Sequence, residues 1–242
     1  MTDDPGYRTF AATSATLGWA EAAGKAAARV DMSERRHGGT WFVGLDALPN
    51  AVDGSVDGVA LNGPWRDHIV PPAGWHPAQL SVVWPGYPGR DPDETVAAHR
   101  FRQRRDAAHL DGLLAEGPAR RRFLREPHAF ILGIALDDVD ASPLVVWPGS
   151  HQMIGQAFRR AFDGHDPQDW ADIDVTDIYQ ATRKAVFADC PRVPVPLRRG
   201  ESVLLHRMLI HGVAPWEGEA RAPRRIAYFR PLTDPASWLS VD

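Results

Sequence analysis

The chain has 242 residues, 44% of them hydrophobic and 24% charged, with a formal net charge of −4. These values are ordinary for a globular protein with a sizeable core, and the lack of a basic excess argues against nucleic acid as a partner. A single cysteine, Cys190, excludes an intrachain disulfide and a thiolate cluster, so we expect a buried, inert thiol. The N-terminus lacks a signal-peptide pattern, and no apolar run approaches the ~18 residues of a membrane helix. We therefore expect a cytoplasmic protein with no membrane partner.

The first hundred residues predict two helices and two isolated strands. Residues 11–30 are rich in alanine and predict a helix. Apolar stretches at residues 40–45 and 80–84 are typical of strands bounded by turn residues. A further helix is expected from Asp93 to about Arg105, with its arginines on a solvated face.

The second half predicts mostly strands. Another arginine-rich helix is expected over residues 118–125, with Pro118 in its first turn. An insert of helices and loops is expected over residues 152–189, and Ser150 is suited to capping the segment that leads into it. The remaining apolar stretches predict strands at residues 129–136, 143–147, 193–197, 202–213 and 224–230.

This order of elements favours a mainly β fold with flanking helices, namely a double-stranded β-helix (jelly roll) of the cupin-like kind. We expect a single domain over residues 1–242. Residues 1–105 would form a layer of helices and strands, and residues 106–231 a metal-binding core.

A possible metal site begins with His109 and Asp111, which are two residues apart. Alternate residues of an extended segment point to one side, so both side chains would converge. Two imidazoles and one carboxylate form the set that holds non-haem Fe(II) on one face and leaves the opposite positions open. His206 and His211 compete for the third position, and their odd separation would put them on opposite faces of one continuous strand. Spacing alone does not choose between them, and each of these residues would also suit a local structural role.

The context of these residues resembles the phytanoyl-CoA dioxygenase-like family of Fe(II)/2-oxoglutarate-dependent oxygenases. The resemblance covers roughly residues 100 to 231. It implies that His211 is the third metal ligand and that His206 lies on the other face. The motifs that carry it appear in the family's order, as His109-Leu110-Asp111, Leu136-Asp137-Asp138, Pro148-Gly149-Ser150-His151 and His206-Arg207-Met208-Leu209-Ile210-His211-Gly212.

The resemblance also implies an arginine for the far carboxylate of 2-oxoglutarate, and a guanidinium fork suits that group. Arg224 follows Pro223 in the expected context, with Arg225 as its main rival and Arg221 on the connecting loop. If Arg224 faces the interior, strand alternation puts Arg230 on the same side.

Two further side chains have weaker expected roles. Arg230 would bind an anionic group of the substrate, or else serve as a sheet-edge charge. His128 would donate a hydrogen bond to the far carboxylate of 2-oxoglutarate, or else be a polar residue at a strand end.

The function implied by the resemblance is oxidation of an unactivated C–H bond in a small-molecule metabolite. Fe(II), 2-oxoglutarate and O2 would take part, and succinate and CO2 would be released. Asp111 favours hydroxylation or another oxygen-dependent oxidation over halogenation, because related halogenases replace this carboxylate with a small residue. Two alternatives stay open. One is a cupin-type metal enzyme that does not use 2-oxoglutarate, and the other is a non-catalytic jelly-roll binding protein.

Overall fold

The computed structural model describes residues 4–240. Residues 1–3 and 241–242, the two ends of the predicted domain 1–242, lie outside the described residues. The strands are β1 (Tyr7–Phe10), β2 (Trp41–Phe42), β3 (Gln79–Val83), β4 (Leu113–Glu116), β5 (Arg121–Leu124), β6 (Phe130–Ala135), β7 (Leu144–Val146), β8 (Val193–Val195), β9 (Ser202–His206), β10 (His211–Val213) and β11 (Arg224–Phe229). The helices are α1 (Ser14–Ala27), α2 (Val96–Arg104), α3 (Ser150–Ala161), α4 (Thr176–Asp189) and α5 (Pro235–Leu239), with 3-10 turns at Pro64–His68 and Pro167–Asp172.

Two antiparallel sheets form the centre of the molecule. The large sheet has the order β1-β9-β6-β11-β3-β2, and the small sheet has the order β10-β7-β8. One apolar cluster takes residues from both sheets, including Ile131, Val146 and Ile226, so the sheets face each other across a shared interior. This arrangement confirms the predicted mainly β jelly roll with flanking helices.

The outer face of the large sheet is covered by the N-terminal layer. All six residues of β6 are buried, as the uninterrupted apolar stretch predicts. Alanines of α1 pack in one cluster with Leu132, Ile134 and Phe229 of the sheet. α1 begins after a capping box between Thr13 and Thr16, and it is shorter at both ends than the predicted helix. Within residues 4–240, every helix is too short or too polar to cross a membrane.

The helix predicted over residues 118–125 is wrong, because these residues form a β-hairpin. β4 pairs with β5 from Leu113 opposite Leu124 to the turn. Gly117 (φ 65°) and Arg120 (φ 50°) adopt left-handed conformations, which turn the chain back on itself. Arg121 then reaches the carboxylates of Asp174 and Asp177. Tertiary pairing overrides the local preference that the arginine-rich composition suggests.

The strand predicted over residues 202–213 is also divided. β9 ends in the large sheet at His206, and β10 begins in the small sheet at His211. A turn closed by the Met208 N–H, which donates to His206 Nδ1 at 3.0 Å, carries the chain from one sheet to the other. His206 and His211 therefore belong to different sheets, and alternation along one strand does not relate them.

Candidate metal centre

Three side chains with metal-binding atoms converge at one edge of the small sheet. The backbone of His109 pairs with that of His211 through two N–H to carbonyl bonds of 2.9 and 3.1 Å. This bridge adds the segment before β4 to the strand that carries the last histidine. One ligand atom from each of His109, Asp111 and His211 lies within 4.8 Å of the other two. His206 is not part of this group.

The hydrogen bonds of both histidines leave one ring nitrogen of each ready for a metal. Nδ1 of His109 lies 3.1 Å from the carbonyl of Ala107, and Nδ1 of His211 lies 2.9 Å from the carbonyl of Leu209. Because a carbonyl only accepts, each Nδ1 carries the hydrogen, and the lone pair of a neutral ring is on Nε2. Those Nε2 atoms lie 3.2 and 3.8 Å from the carboxylate oxygens of Asp111.

The charge states of Asp111 and His211 also suit a cation. Burial lowers the pKa of His109, but the hydrogen bond and charge of Asp111 raise it more, to above its usual value, so a metal would displace that proton. Burial raises the pKa of Asp111, but the hydrogen bond with His109 and the neighbouring imidazoles and Arg230 lower it more, to well below its usual value. Burial lowers the pKa of His211 to about 4. At neutral pH the carboxylate is therefore ionised and His211 is neutral, as metal ligation requires.

The three nitrogens of the Arg224 guanidinium are buried without a hydrogen-bond partner among the described residues. The residue is 3% exposed and begins β11, on the same face as Ile226 and Tyr228 of the interior cluster. An unpaired buried cation is costly. The interior therefore contains a site whose chemistry requires an anion.

The rival Arg225 points to the opposite face. Its Nε and Nη2 donate to Asp137 at 2.8 and 2.7 Å, and its Nη1 donates to the Gly24 carbonyl at 3.0 Å. Arg221 is exposed. Of the three arginines considered from the sequence, Arg224 is the one that faces the interior.

The Tyr228 hydroxyl is subject to the charges of both Arg224 and Asp111. Burial raises the pKa of this hydroxyl, the charge of Arg224 and its contact with the hydroxyl oppose the rise, and the Asp111 charge adds to it. Its ring lies over Gly133, where an added Cβ would approach Tyr228 Cε1 to 2.7 Å. Sequence reasoning did not single out Gly133, although a glycine inside an apolar strand often marks a close approach.

Arg230 and His128 lie beside Asp111. Arg230 Nη1 is 3.5 Å from Asp111 Oδ2, and His128 Nδ1 is 3.0 Å from the carbonyl of Arg230. The backbone of His128 pairs with Leu232, beyond the end of β11 opposite to Arg224. Six residues of strand span about 20 Å, so His128 is far from the position predicted for it, beside the carboxylate that Arg224 would bind.

Contacts from the insert and from the turn before it position the metal-binding segments. The hydroxyl of Tyr179 in α4 accepts from the Leu110 N–H at 3.2 Å, between the first two ligands. Sequence reasoning missed this residue, because the insert carries no recognisable motif. Ser150 does not cap α3 as predicted, since Gly149 occupies the N-cap. Instead, the Ser150 hydroxyl accepts from the Ile210 N–H at 2.9 Å, next to His211.

A second group of possible ligand atoms, from His37, Asp91 and Glu94, is already neutralised. Arg102 donates to Glu94 and lies 3.1 Å from His37 Nε2. Asp91 accepts from the backbone N–H groups of His37 and Gly38. Because the guanidinium supplies the positive charge, this group forms an ion-pair network, and a metal would have to displace Arg102.

Comparison with known proteins agrees with the resemblance seen in the sequence. The family model for phytanoyl-CoA dioxygenase matches residues 93–226, more than half of the chain. None of the curated proteins compared matches this sequence.

Solved structures show weaker similarity. A non-heme alpha-ketoglutarate-dependent carbocyclase, SnoK, from nogalamycin biosynthesis has 17% identity and a TM-score of 0.34, and the match covers 63% of this chain and 48% of that one. AviO1 from Streptomyces viridochromogenes Tue57 has 15% identity and a TM-score of 0.39, with 94% and 90% covered. EctD from S. alaskensis, solved with 2-oxoglutarate and 5-hydroxyectoine, has 14% identity and a TM-score of 0.43, with 94% and 72% covered. This chain spans about half the length of the first of these structures, and similarity at this level leaves the reaction to be argued from the site.

Proposed function

Because this chain belongs to the phytanoyl-CoA dioxygenase family, we propose that it is an Fe(II)/2-oxoglutarate-dependent oxygenase. Its reaction oxidises an unactivated C–H bond of a small molecule and converts 2-oxoglutarate and O2 to succinate and CO2. The observation that carries the proposal is the buried guanidinium of Arg224, which makes no hydrogen bond within residues 4–240, in a barrel that also holds a group of three side chains able to bind a metal.

His109, Asp111 and His211 would hold the iron. When bound, Fe(II) supplies the redox chemistry with O2, and the protein supplies orientation and exclusion of water. The carbonyl groups that accept from both Nδ1 atoms fix the tautomer and the ring orientation. Asp111 occupies the place that a halide would need, which supports oxygen-dependent oxidation over halogenation.

Arg224 would bind the far carboxylate of 2-oxoglutarate. The cosubstrate would bring an anion to a buried cation that otherwise lacks an acceptor, so binding offsets the cost of burying that cation. Tyr228 lies four residues from this arginine on the interior face of β11, where its ring would flank the cosubstrate. The pairing of the Arg225 guanidinium with Asp137 on the other face supports Arg224 over Arg225 for this role.

Each alternative leaves one feature without a purpose. A cupin-type enzyme that does not use 2-oxoglutarate has no need for the unpaired charge of Arg224. A non-catalytic binding protein has no need for two Nε2 lone pairs directed at an ionised carboxylate.

Anaerobic titration with Fe(II) and then 2-oxoglutarate tests the proposal. Wild-type protein should develop the visible metal-to-ligand charge-transfer band of chelated 2-oxoglutarate, and His211→Ala should lose it together with metal affinity. Arg224→Met should retain metal but weaken 2-oxoglutarate by about 100-fold, the loss expected for a buried charge pair. Arg221→Met, on an exposed arginine, is the matched control and should behave as wild type. A folded, iron-replete wild-type protein without the band would refute the proposed function.

A further inference from the structure

The side chains beside Asp111 include donors and acceptors that the proposed function does not use. Arg230 is 15% exposed, so its tip is reachable, yet its Nε is buried without a partner among residues 4–240. His128 is 4% exposed, and its Nε2 is also buried and makes no hydrogen bond within residues 4–240. Glu126 lies next to His128, with 43% of its side chain exposed.

The hydrogen bond of His128 determines what its free nitrogen can do. Nδ1 faces the carbonyl of Arg230 at 3.0 Å, so Nδ1 carries the hydrogen and Nε2 of the neutral ring accepts. A carboxylate oxygen of Glu126, Oε2, lies 3.5 Å from Nε2. Two acceptors that face each other require a donor, and a carboxylate next to an imidazole lone pair favours a cationic donor.

Arg230 requires the opposite partner. Among residues 4–240, its side chain donates to Asp111 Oδ2, at the long distance of 3.5 Å. That carboxylate would be committed to the metal in the loaded protein. A guanidinium that is mostly buried then needs an anion, and a carboxylate matches its fork.

We propose that Arg230, His128 and Glu126 form the substrate-binding subsite for the head of an α-amino acid. The carboxylate binds Arg230, and the ammonium group binds His128 Nε2 and the Glu126 carboxylate. The inference rests on the proposed function and names the substrate class for the same site. A zwitterionic head suits a subsite with one cation and one anion, and it adds no net charge beside the metal centre.

Two other ligands of similar chemistry would use only part of this subsite. The 1-carboxylate of 2-oxoglutarate would engage Arg230 but leave Glu126 and His128 unpaired. An α-hydroxy acid would donate to His128 but would not benefit from the negative charge of Glu126. The experiment is arranged to separate these possibilities.

Calorimetric titration measures binding without turnover. Protein is loaded anaerobically with Mn(II), which accepts nitrogen and oxygen ligands, and with saturating 2-oxoglutarate. It is then titrated with each common L-amino acid, with the matching α-hydroxy acid and with the matching amine. The variants are Arg230→Met, Arg230→Lys and Glu126→Gln, with Arg221→Met as the matched control.

We expect at least one amino acid to bind wild-type protein more tightly than its hydroxy acid or its amine. Arg230→Met should weaken that binding by about 100-fold, and Arg230→Lys, which keeps the charge without the fork, by about tenfold. Glu126→Gln should weaken the amino acid by about fivefold and leave the hydroxy acid unchanged, because the lost charge is partly exposed. Arg221→Met should match wild type, and 2-oxoglutarate affinity should stay the same in all variants.

Several outcomes would overturn the inference and leave the proposed function in place. In the first, wild-type protein binds 2-oxoglutarate but no amino acid. In the second, Arg230→Met loses affinity for 2-oxoglutarate. In the third, amino acids and hydroxy acids bind equally well and Glu126→Gln has no effect on either. Failure of wild-type protein to bind 2-oxoglutarate would instead refute the proposed function, and the inference with it.

Discussion

Replacing Arg224 with Met should stabilise the ligand-free protein while abolishing its response to 2-oxoglutarate. Three guanidinium nitrogens are buried without a hydrogen-bond partner in the described part of the chain, and an unsatisfied buried polar group costs about 1–3 kcal/mol, or more when it is charged. Methionine fills a similar volume without this cost. The free energy of unfolding should therefore rise by at least about 1 kcal/mol, equivalent to roughly 2–4 °C in Tm for a chain of this size.

The neighbouring arginine should show the opposite behaviour. Arg225→Met removes a two-point ion pair with Asp137 and a bond to the Gly24 carbonyl, all on the outer face. It leaves the Asp137 carboxylate without its cation, so the free energy of unfolding should fall by about 1–3 kcal/mol. Its response to 2-oxoglutarate should remain that of wild type.

Thermal unfolding with Mn(II), with and without 2-oxoglutarate, measures both effects in one assay. A ligand at 100 times its Kd adds about 2.7 kcal/mol to stability, so wild type and Arg225→Met should gain several degrees. Arg224→Met should gain almost nothing at the same concentration. The reasoning is refuted if Arg224→Met destabilises the ligand-free protein, or if Arg225→Met is the variant that loses the response.

Three further predictions concern residues around the site. Tyr179→Phe removes the acceptor for the backbone N–H of Leu110, between the first two ligands. Metal affinity, measured by competition with a chromophoric chelator, should fall by about 10–100-fold. The 2-oxoglutarate affinity of fully metal-loaded protein should stay unchanged. Gly133→Ala forces the Tyr228 ring to move, since the new Cβ would lie 2.7 Å from it. Denaturant unfolding should show a loss of about 1–3 kcal/mol in the free energy of unfolding, and 2-oxoglutarate binding should weaken. A variant with wild-type affinity for 2-oxoglutarate would contradict the position assigned to the ring. Burial lowers the pKa of His37 to about 4, so the unfolded chain binds a proton at this residue first as pH falls from 6.5. His37 alone should therefore contribute about 2 kcal/mol to the loss in free energy of unfolding between pH 7 and pH 5, measured by denaturant unfolding. His37→Asn, which tolerates the positive φ at this position, should reduce that loss, whereas replacing the exposed His165 with Gln should not.

The fold could be predicted from the sequence wherever local composition is strongly biased towards one structure. The uninterrupted apolar stretch of β6 is buried on both faces, and α1 forms within its alanine-rich segment. Prediction failed at the β4–β5 hairpin, where a proline followed by arginines is compatible with a helix. What decides that segment is non-local: pairing with β4 and ion pairs to carboxylates beyond the sequence window that suggests a helix.

The residues of the candidate site could likewise be predicted where local strand geometry decides their position, and not where contacts distant in sequence decide it. Alternation placed Arg224 and Arg230 on one face because β11 is a regular strand, paired on both sides in the centre of the large sheet. Alternation did not relate His206 to His211, because a strand period holds only while the chain stays in one sheet. Met208, Leu209 and Ile210, the turn residues between the two sheets, are all buried. The order of the family's motifs therefore favours His211 as the third ligand, which spacing alone does not. The distinction between Arg224 and Arg225 depends on tertiary contacts instead: the Arg225 guanidinium pairs with a carboxylate of the protein, and the Arg224 guanidinium does not.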